Sequence, residues 1–172
     1  LAGTPALSDP RPTTDFFDEQ ARAWMDGRWD LPPEVLSVEA FVIDGKAYTY
    51  FGPVPAVLRL PVLAVTDRFD GRLSQVSMVA ATAVLLWAVA VGWWRTRVMV
   101  RPRAGPPGPG ECRLAGAAVA FVGCGTVVLG IATQPIVYHE AIAWGMALAT
   151  WAFVCQLSFL ADGRTRHLVA AG

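Results

Sequence analysis

"SQVSMVAATAVLLWAVAVGWW", Ser74 to Trp94, is 21 residues without a charge. A helix of that length rises roughly 31 Å, the thickness of a bilayer's hydrocarbon core. Two similar runs follow it. Leu114 to Gln134 reads "LAGAAVAFVGCGTVVLGIATQ", and Ala141 to Ala161 reads "AIAWGMALATWAFVCQLSFLA". Gly116, Gly123, Gly125 and Gly130 would weaken a water-soluble helix, but in lipid small residues let helices approach closely.

Composition agrees with this reading. Charged residues make up 16% of the 172, against about 25% in an average soluble domain, and the mean hydropathy is +0.42. The formal net charge of zero conceals an asymmetry. Residues 1–73 carry seven basic and eleven acidic side chains, a balance of −4, whereas residues 95–113 carry five Arg and one Glu. No chain-wide basic surface exists for nucleic acid, so nucleic acid is not an expected partner.

The Arg cluster sets the orientation. Arg95, Arg97, Arg101, Arg103 and Arg113 lie in "RTRVMVRPRAGPPGPGECR", between the first two runs. The positive-inside rule makes that loop cytoplasmic, and Gly105–Gly110 makes it an unstructured linker. Arg164 and Arg166 fall on the same side. Residues 1–73 and the turn Pro135–Glu140 are then extracytoplasmic, with Trp93 and Trp94 at the inner rim. The expectation is an all-α polytopic membrane protein of the cytoplasmic (plasma) membrane. Its membrane region, 74–172, has three transmembrane spans, 74–94, 114–134 and 141–161. An extracytoplasmic loop with amphipathic helices and a small β-hairpin precedes them.

Within that loop, "DFFDEQARAWMDG" (Asp15–Gly27) predicts a helix over 15–27. Thr14 or Asp15 can cap it, acids fill its first turn, and Gly27 can end it. "VIDGKAYTYF" carries Asp44-Gly45 between alternating runs, which predicts a hairpin over 38–51. "PAVLRLPVLAV" predicts an interfacial helix over 55–65, kinked at Pro61. Cys112, Cys124 and Cys155 have no metal-ligand spacing and read as small apolar residues in or beside helices. The chain opens on Leu1 and closes on "HLVAAG"; both ends read as cut, so a piece of a longer protein is expected.

The candidate chemistry lies in the outer acids. Asp15, Asp18 and Glu19 open the loop, and His139 and Glu140 sit in the only other outer turn. Across a shallow cavity at the membrane surface the two groups can face each other. A carboxylate there can act as a general base toward a hydroxyl, or hold a cation bridging phosphate oxygens. Asp15 is equally readable as a helix cap, and Asp44 as a turn residue. There is no phosphate-binding glycine loop, no G-x-S-x-G and no His/Asp/Ser set.

Three segments taken in order carry a resemblance: "DFFDEQARAWMDGRWDLP", "EAFVIDGKAYTYFGPVPAVLRLP" and, after two spans and an Arg-rich inner loop, "PIVYHEAIAWG". This order resembles the first outer loop and helices two to four of GT-C membrane glycosyltransferases, most closely bacterial relatives of protein O-mannosyltransferases and of the lipid A aminoarabinose transferase. The resemblance covers nearly the whole chain, in architecture more than in motif. It implies transfer of a sugar from a polyprenyl-phosphate carrier to a glycan, lipid or protein acceptor outside the membrane. It implies catalytic roles for Asp15, Asp18 and Glu140, and substrate contacts at Glu19, His139 and Tyr50. The residues fix no cofactor; the candidate is a divalent cation held by the outer carboxylates. The resemblance matches Asp15 to the loop-one acid, as base or acceptor-positioning residue with Asp18 and Glu140 as helpers; Asp18 is its competitor, because the spacing of Asp18-Glu19 to "ARAWM" is shorter than is usual in that superfamily. The alternative is a non-enzymatic membrane protein, part of a transporter or a scaffold, whose outer loop binds a partner. The scarcity of polar residues within the spans disfavours a transporter.

Overall fold

The computed structural model describes residues 16–32, 35, 41–134 and 136–172. It is mostly helical. The elements in order are α1 (Phe16–Met25), β1 (Phe41–Ile43), β2 (Lys46–Tyr48), α2 (Val54–Leu63), α3 (Leu73–Val100), α4 (Pro109–Cys124), α5 (Val127–Ala132), α6 (Val137–Asp162) and α7 (Arg166–Val169). Among the described residues, α3 and α6 are long and apolar enough to cross a membrane. Cα proximity divides the chain into two units, residues 1–79 with 134–142, and residues 80–133 with 143–172.

The first unit is built on α1 and α2. Phe16, Phe17, Ala21 and Ala23 of α1 are buried together with Ala56 and Leu63 of α2 and with Leu31 and Ala47. The end of α1 is set by Gly27, whose φ of +71° is the left-handed value that glycine adopts without strain. Gly27 N–H donates to the Trp24 carbonyl and Arg28 N–H to the Ala23 carbonyl, the paired bonds of a Schellman motif. The hairpin pairs Phe41 with Tyr48, Val42 with Ala47 and Ile43 with Lys46. Asp44 and Gly45 have φ of +51° and +74°, as a type I′ turn requires. The ladder stops at Tyr48, because the Thr49 hydroxyl accepts the Phe51 N–H and turns the chain. Leu31 N–H donates to the Ala47 carbonyl, so a third segment leans on the two strands. Residues 38–40 of the expected hairpin, and the caps Thr14 and Asp15, lie outside the described residues.

In α2 the buried positions are Pro55, Ala56, Arg59 and Leu63, one helical stripe. Pro61 is inside the last turns and exposed. Having no N–H, it leaves the Val57 carbonyl without its helical donor, and the helix ends two residues later.

The second unit packs through small side chains. A Cβ on Gly92 of α3 would lie 3.0 Å from Val154 Cγ2 of α6, so the helices meet where no side chain intervenes. Ala81, Ala88 and Ala147 are fully buried. Trp87 and Trp151 stack with centroids 5.0 Å apart. Other positions are apolar and open, with Phe121, Val127, Phe153 and Leu160 all more than half exposed. In water such positions would be a liability; lipid tails would solvate them.

The run Leu114–Gln134 is not one continuous helix. It is divided between α4 and α5 at Gly125-Thr126. Thr126 leaves helical geometry, and its hydroxyl donates to the Val122 carbonyl at 2.6 Å while accepting the Val128 N–H at 3.3 Å. A Cβ at Gly125 would stand 2.8 Å from the Phe121 carbonyl oxygen, so this tight junction requires glycine. Threonine at the start of a helix and glycine at the end of one are each favoured, and here they meet inside an apolar run.

Candidate functional site

Arg59 is the lone charge in "PAVLRLPVLAV", and it occupies a position on the buried stripe of α2. A guanidinium there must be answered by acids, since an unpaired buried charge is very unfavourable. Two answer it. Glu140, in the first turn of α6, accepts from Arg59 Nη2 through both oxygens, at 2.8 and 2.9 Å. Asp18, in the first turn of α1, brings Oδ1 to 3.2 Å from Arg59 Nε, an ion-pair contact not aligned for a hydrogen bond. The Ser74 hydroxyl, at the start of α3, accepts from Arg59 Nη2 at 2.8 Å. Side-chain exposure is 3% for Arg59, 2% for Asp18 and 1% for Glu140, so the cluster is sealed.

A chain of aromatic rings begins against it. The Arg59 guanidinium lies over the Phe17 ring, 5.2 Å from its centroid. Phe17 meets Phe16 edge-to-face, Phe16 meets Phe51, and Phe51 meets Tyr138. The Tyr50 and Tyr138 hydroxyls stand 3.0 Å apart at the outer end of this chain of rings.

The two acids are not equivalent. Asp18 Oδ2 accepts the Gly71 N–H at 2.6 Å, whereas Oδ1 has no hydrogen-bond donor. Burial pushes the Asp18 carboxyl up from 3.8 to about 6; Arg59 and the Gly71 N–H oppose that rise, and Asp70 and Glu140 add to it. Gly71 is itself held in place. Its φ is +68°, and Arg22 of α1 grips the preceding turn by donating to Asp67 at 2.8 Å and Asp70 at 2.7 Å. These bonds hold the Arg22 guanidinium's pKa above its ordinary value, with Asp70 contributing most.

The sequence-predicted residues divide accordingly. Asp18 and Glu140, 122 positions apart, meet at one arginine. Glu19 is half-buried and is not among the groups touching Arg59. His139 turns its Nδ1 to the Gln134 carbonyl, 2.9 Å away. Tyr50 is exposed and belongs to the aromatic chain, not to the ion cluster. Asp15 lies outside the described residues. Among the described residues no group of three or more His, Cys, Asp or Glu gathers as metal ligands. Between Asp18 and Glu140 the positive charge is the guanidinium of Arg59.

Arg59, Ser74, Gly71 and Arg22 were not among the sequence candidates. Arg59 did leave a signal, a single charge at a core position of an apolar helical stripe. Gly71 and Ser74 left none, because a backbone N–H and a serine at a helix start look alike anywhere. Comparison of the chain with protein-family models, curated proteins and solved structures found no match.

Proposed function

We propose that this chain is part of an integral membrane glycosyltransferase that moves a sugar from a polyprenyl-phosphate carrier to an acceptor hydroxyl outside the cytoplasmic membrane. One observation carries the reading: Asp18 and Glu140, acids of the two segments assigned to the outer side, converge on Arg59. In this reading Asp18 is the general base. A carboxyl with a pKa near 6 is ionised at neutral pH yet basic enough to accept a proton, and its Oδ1, which accepts no hydrogen bond, faces Arg59 Nε at 3.2 Å inside the sealed cluster, so catalysis requires the cluster to open to the acceptor. The acceptor O–H proton passes to Oδ1 and the acceptor oxygen bonds to the sugar's anomeric carbon. The bond from that carbon to the carrier phosphate breaks, its electron pair leaving on the phosphate oxygen. Glu140 holds Arg59, and Arg59 keeps the Asp18 carboxylate in place. Lipid-facing α3 and α6 anchor the loop beside a membrane-borne donor.

A second reading has its own observation. The cluster is sealed, and its hydrogen bonds reach Ser74 and the Gly71 N–H as well as the paired acids. A non-catalytic scaffold would use such a cluster to fasten its outer loop.

The experiment uses the complete protein in membranes supplied with polyprenyl-phosphate mannose, glucose or aminoarabinose, and follows release of polyprenyl phosphate. Asp18→Asn keeps the shape and removes the base. Release falling at least 100-fold, the usual worth of a positioned base, with an unfolding midpoint at or above wild type supports the enzyme. Undiminished release in Asp18→Asn removes Asp18 as the base, and no release from any donor in the wild type favours the scaffold.

A further inference from the structure

We propose that a cavity beside Arg97 and Arg101 in the second unit binds the headgroup of an anionic phospholipid, with the acyl chain lying along the cavity's apolar wall. The proposal rests on the membrane reading of α3 and α6, not on glycosyl transfer. The cavity has a volume of about 490 Å³ and is lined by Val89, Trp93, Val100 and Leu114, with Arg97 and Arg101 alongside. That size falls within the range of small-molecule sites, about 300–1,000 Å³.

Its polar end is built. Glu111, in the first turn of α4, accepts from Arg97 Nε and from Arg101 Nη1, both at 3.0 Å. Arg97 Nη2 also donates to the Gly105 carbonyl at 2.8 Å, so the first guanidinium is fixed at three points with its Nη2–Glu111 contact of 2.9 Å. The hydrogen bond from Arg97, above all, holds the Glu111 carboxyl below its ordinary value. One carboxylate set against two guanidiniums leaves one positive charge. Across residues 95–113, five Arg and one Glu leave four. The Arg101 side chain is 65% exposed and is placed to meet a ligand.

The remaining walls identify the source of the anion. A free phosphate has no use for Val89, Trp93, Val100 and Leu114. Val100 is 72% and Leu114 59% exposed, so the wall runs onto the open helix flank where lipid would lie. A zwitterionic headgroup carries an ammonium that cancels its phosphate near a positive site; an anionic one does not. The basic loop falls on the cytoplasmic side by the positive-inside rule, the leaflet side where anionic lipid meets juxtamembrane arginines.

The test places the full chain in nanodiscs of equal phosphatidylglycerol and phosphatidylcholine and weighs retained lipid by native mass spectrometry. Phosphatidylglycerol should be retained roughly fivefold over phosphatidylcholine for each arginine engaged. Arg101→Gln should reduce that ratio, and Glu111→Gln, which frees both guanidiniums, should raise it. Equal retention of the two lipids, or a ratio unmoved by both variants, overturns the proposal. So does Arg101-dependent binding of inorganic phosphate in phosphatidylcholine-only discs at the same affinity. Alkaline washing of native membranes separates the two failures. Protein released into the wash refutes the membrane reading as well; protein retained, with equal lipid ratios, refutes this site alone.

Discussion

Two arginine–carboxylate clusters use the same chemistry in opposite surroundings. Around Arg59 every charged group is at least 97% covered. Around Glu111 the side chains of Arg97, Arg101 and Glu111 are 15%, 65% and 29% exposed. Coulomb attraction grows as water leaves, but so does the penalty for a missing partner. The sealed cluster is therefore a joint whose members depend on one another. The open one is a surface that water, salt or a headgroup can enter with little effect on folding. The difference teaches that a short nitrogen–oxygen distance does not by itself report the strength of an ion pair.

The largest expected effect breaks the sealed cluster from its centre. Arg59→Met leaves Asp18 and Glu140 buried and unpaired, and should cost about 3–5 kcal/mol of stability. Thermal unfolding of the purified protein in detergent measures it. The triple variant Arg59→Met, Asp18→Asn, Glu140→Gln removes the orphaned charges and should recover most of that loss. If Arg59→Met unfolds like wild type, the cluster is not a joint.

A smaller effect appears on titration. The Asp18 carboxyl is raised from 3.8 to about 6 in the folded protein, so between those values the folded state binds the extra proton. Raising pH through that window therefore removes stability, and lowering it restores stability. A rise of about two pH units corresponds to about 3 kcal/mol, an upper figure for the wild type relative to Asp18→Asn between pH 4 and 7. Chemical unfolding of both proteins at several pH values checks the sign. A gap that stays constant across the window would show that Asp18 titrates near its ordinary value. On the enzymatic reading, sugar transfer also rises with pH through the same midpoint.

The smallest effect is expected at the open cluster. Glu111→Gln should leave the unfolding midpoint unchanged within error in 0.15 M salt (about an 8 Å screening length), because exposed pairs are screened and solvated. A clear loss of stability there would erase the contrast between the two clusters.

Much of the architecture was legible in local pattern. Asp44-Gly45 between alternating residues marks the hairpin turn, and positive φ at both positions is the physical reason. Gly27 marks the end of α1 for a similar reason. Leu114–Gln134 was less legible. Hydropathy reads it as one span, but hydropathy does not register a carbonyl too close for a Cβ, and Gly125-Thr126 divides it into α4 and α5. At the candidate site, Asp18 and Glu140 were legible as charges near apolar runs. Arg59, which joins them, was legible only as an oddity in its stripe.

The sequence by itself determined which segments are apolar enough to leave water, where the chain turns, and that acids gather in the polar parts. These follow from composition and near-neighbour geometry, which act within a few residues. Only the tertiary structure decided that Asp18, Arg59, Gly71, Ser74 and Glu140 form one cluster, and that Glu19 and His139 do not join it. Burial makes that selection: once Arg59 takes a core position in α2, the carboxylates that can follow it out of water become its partners, however far away in the chain they lie.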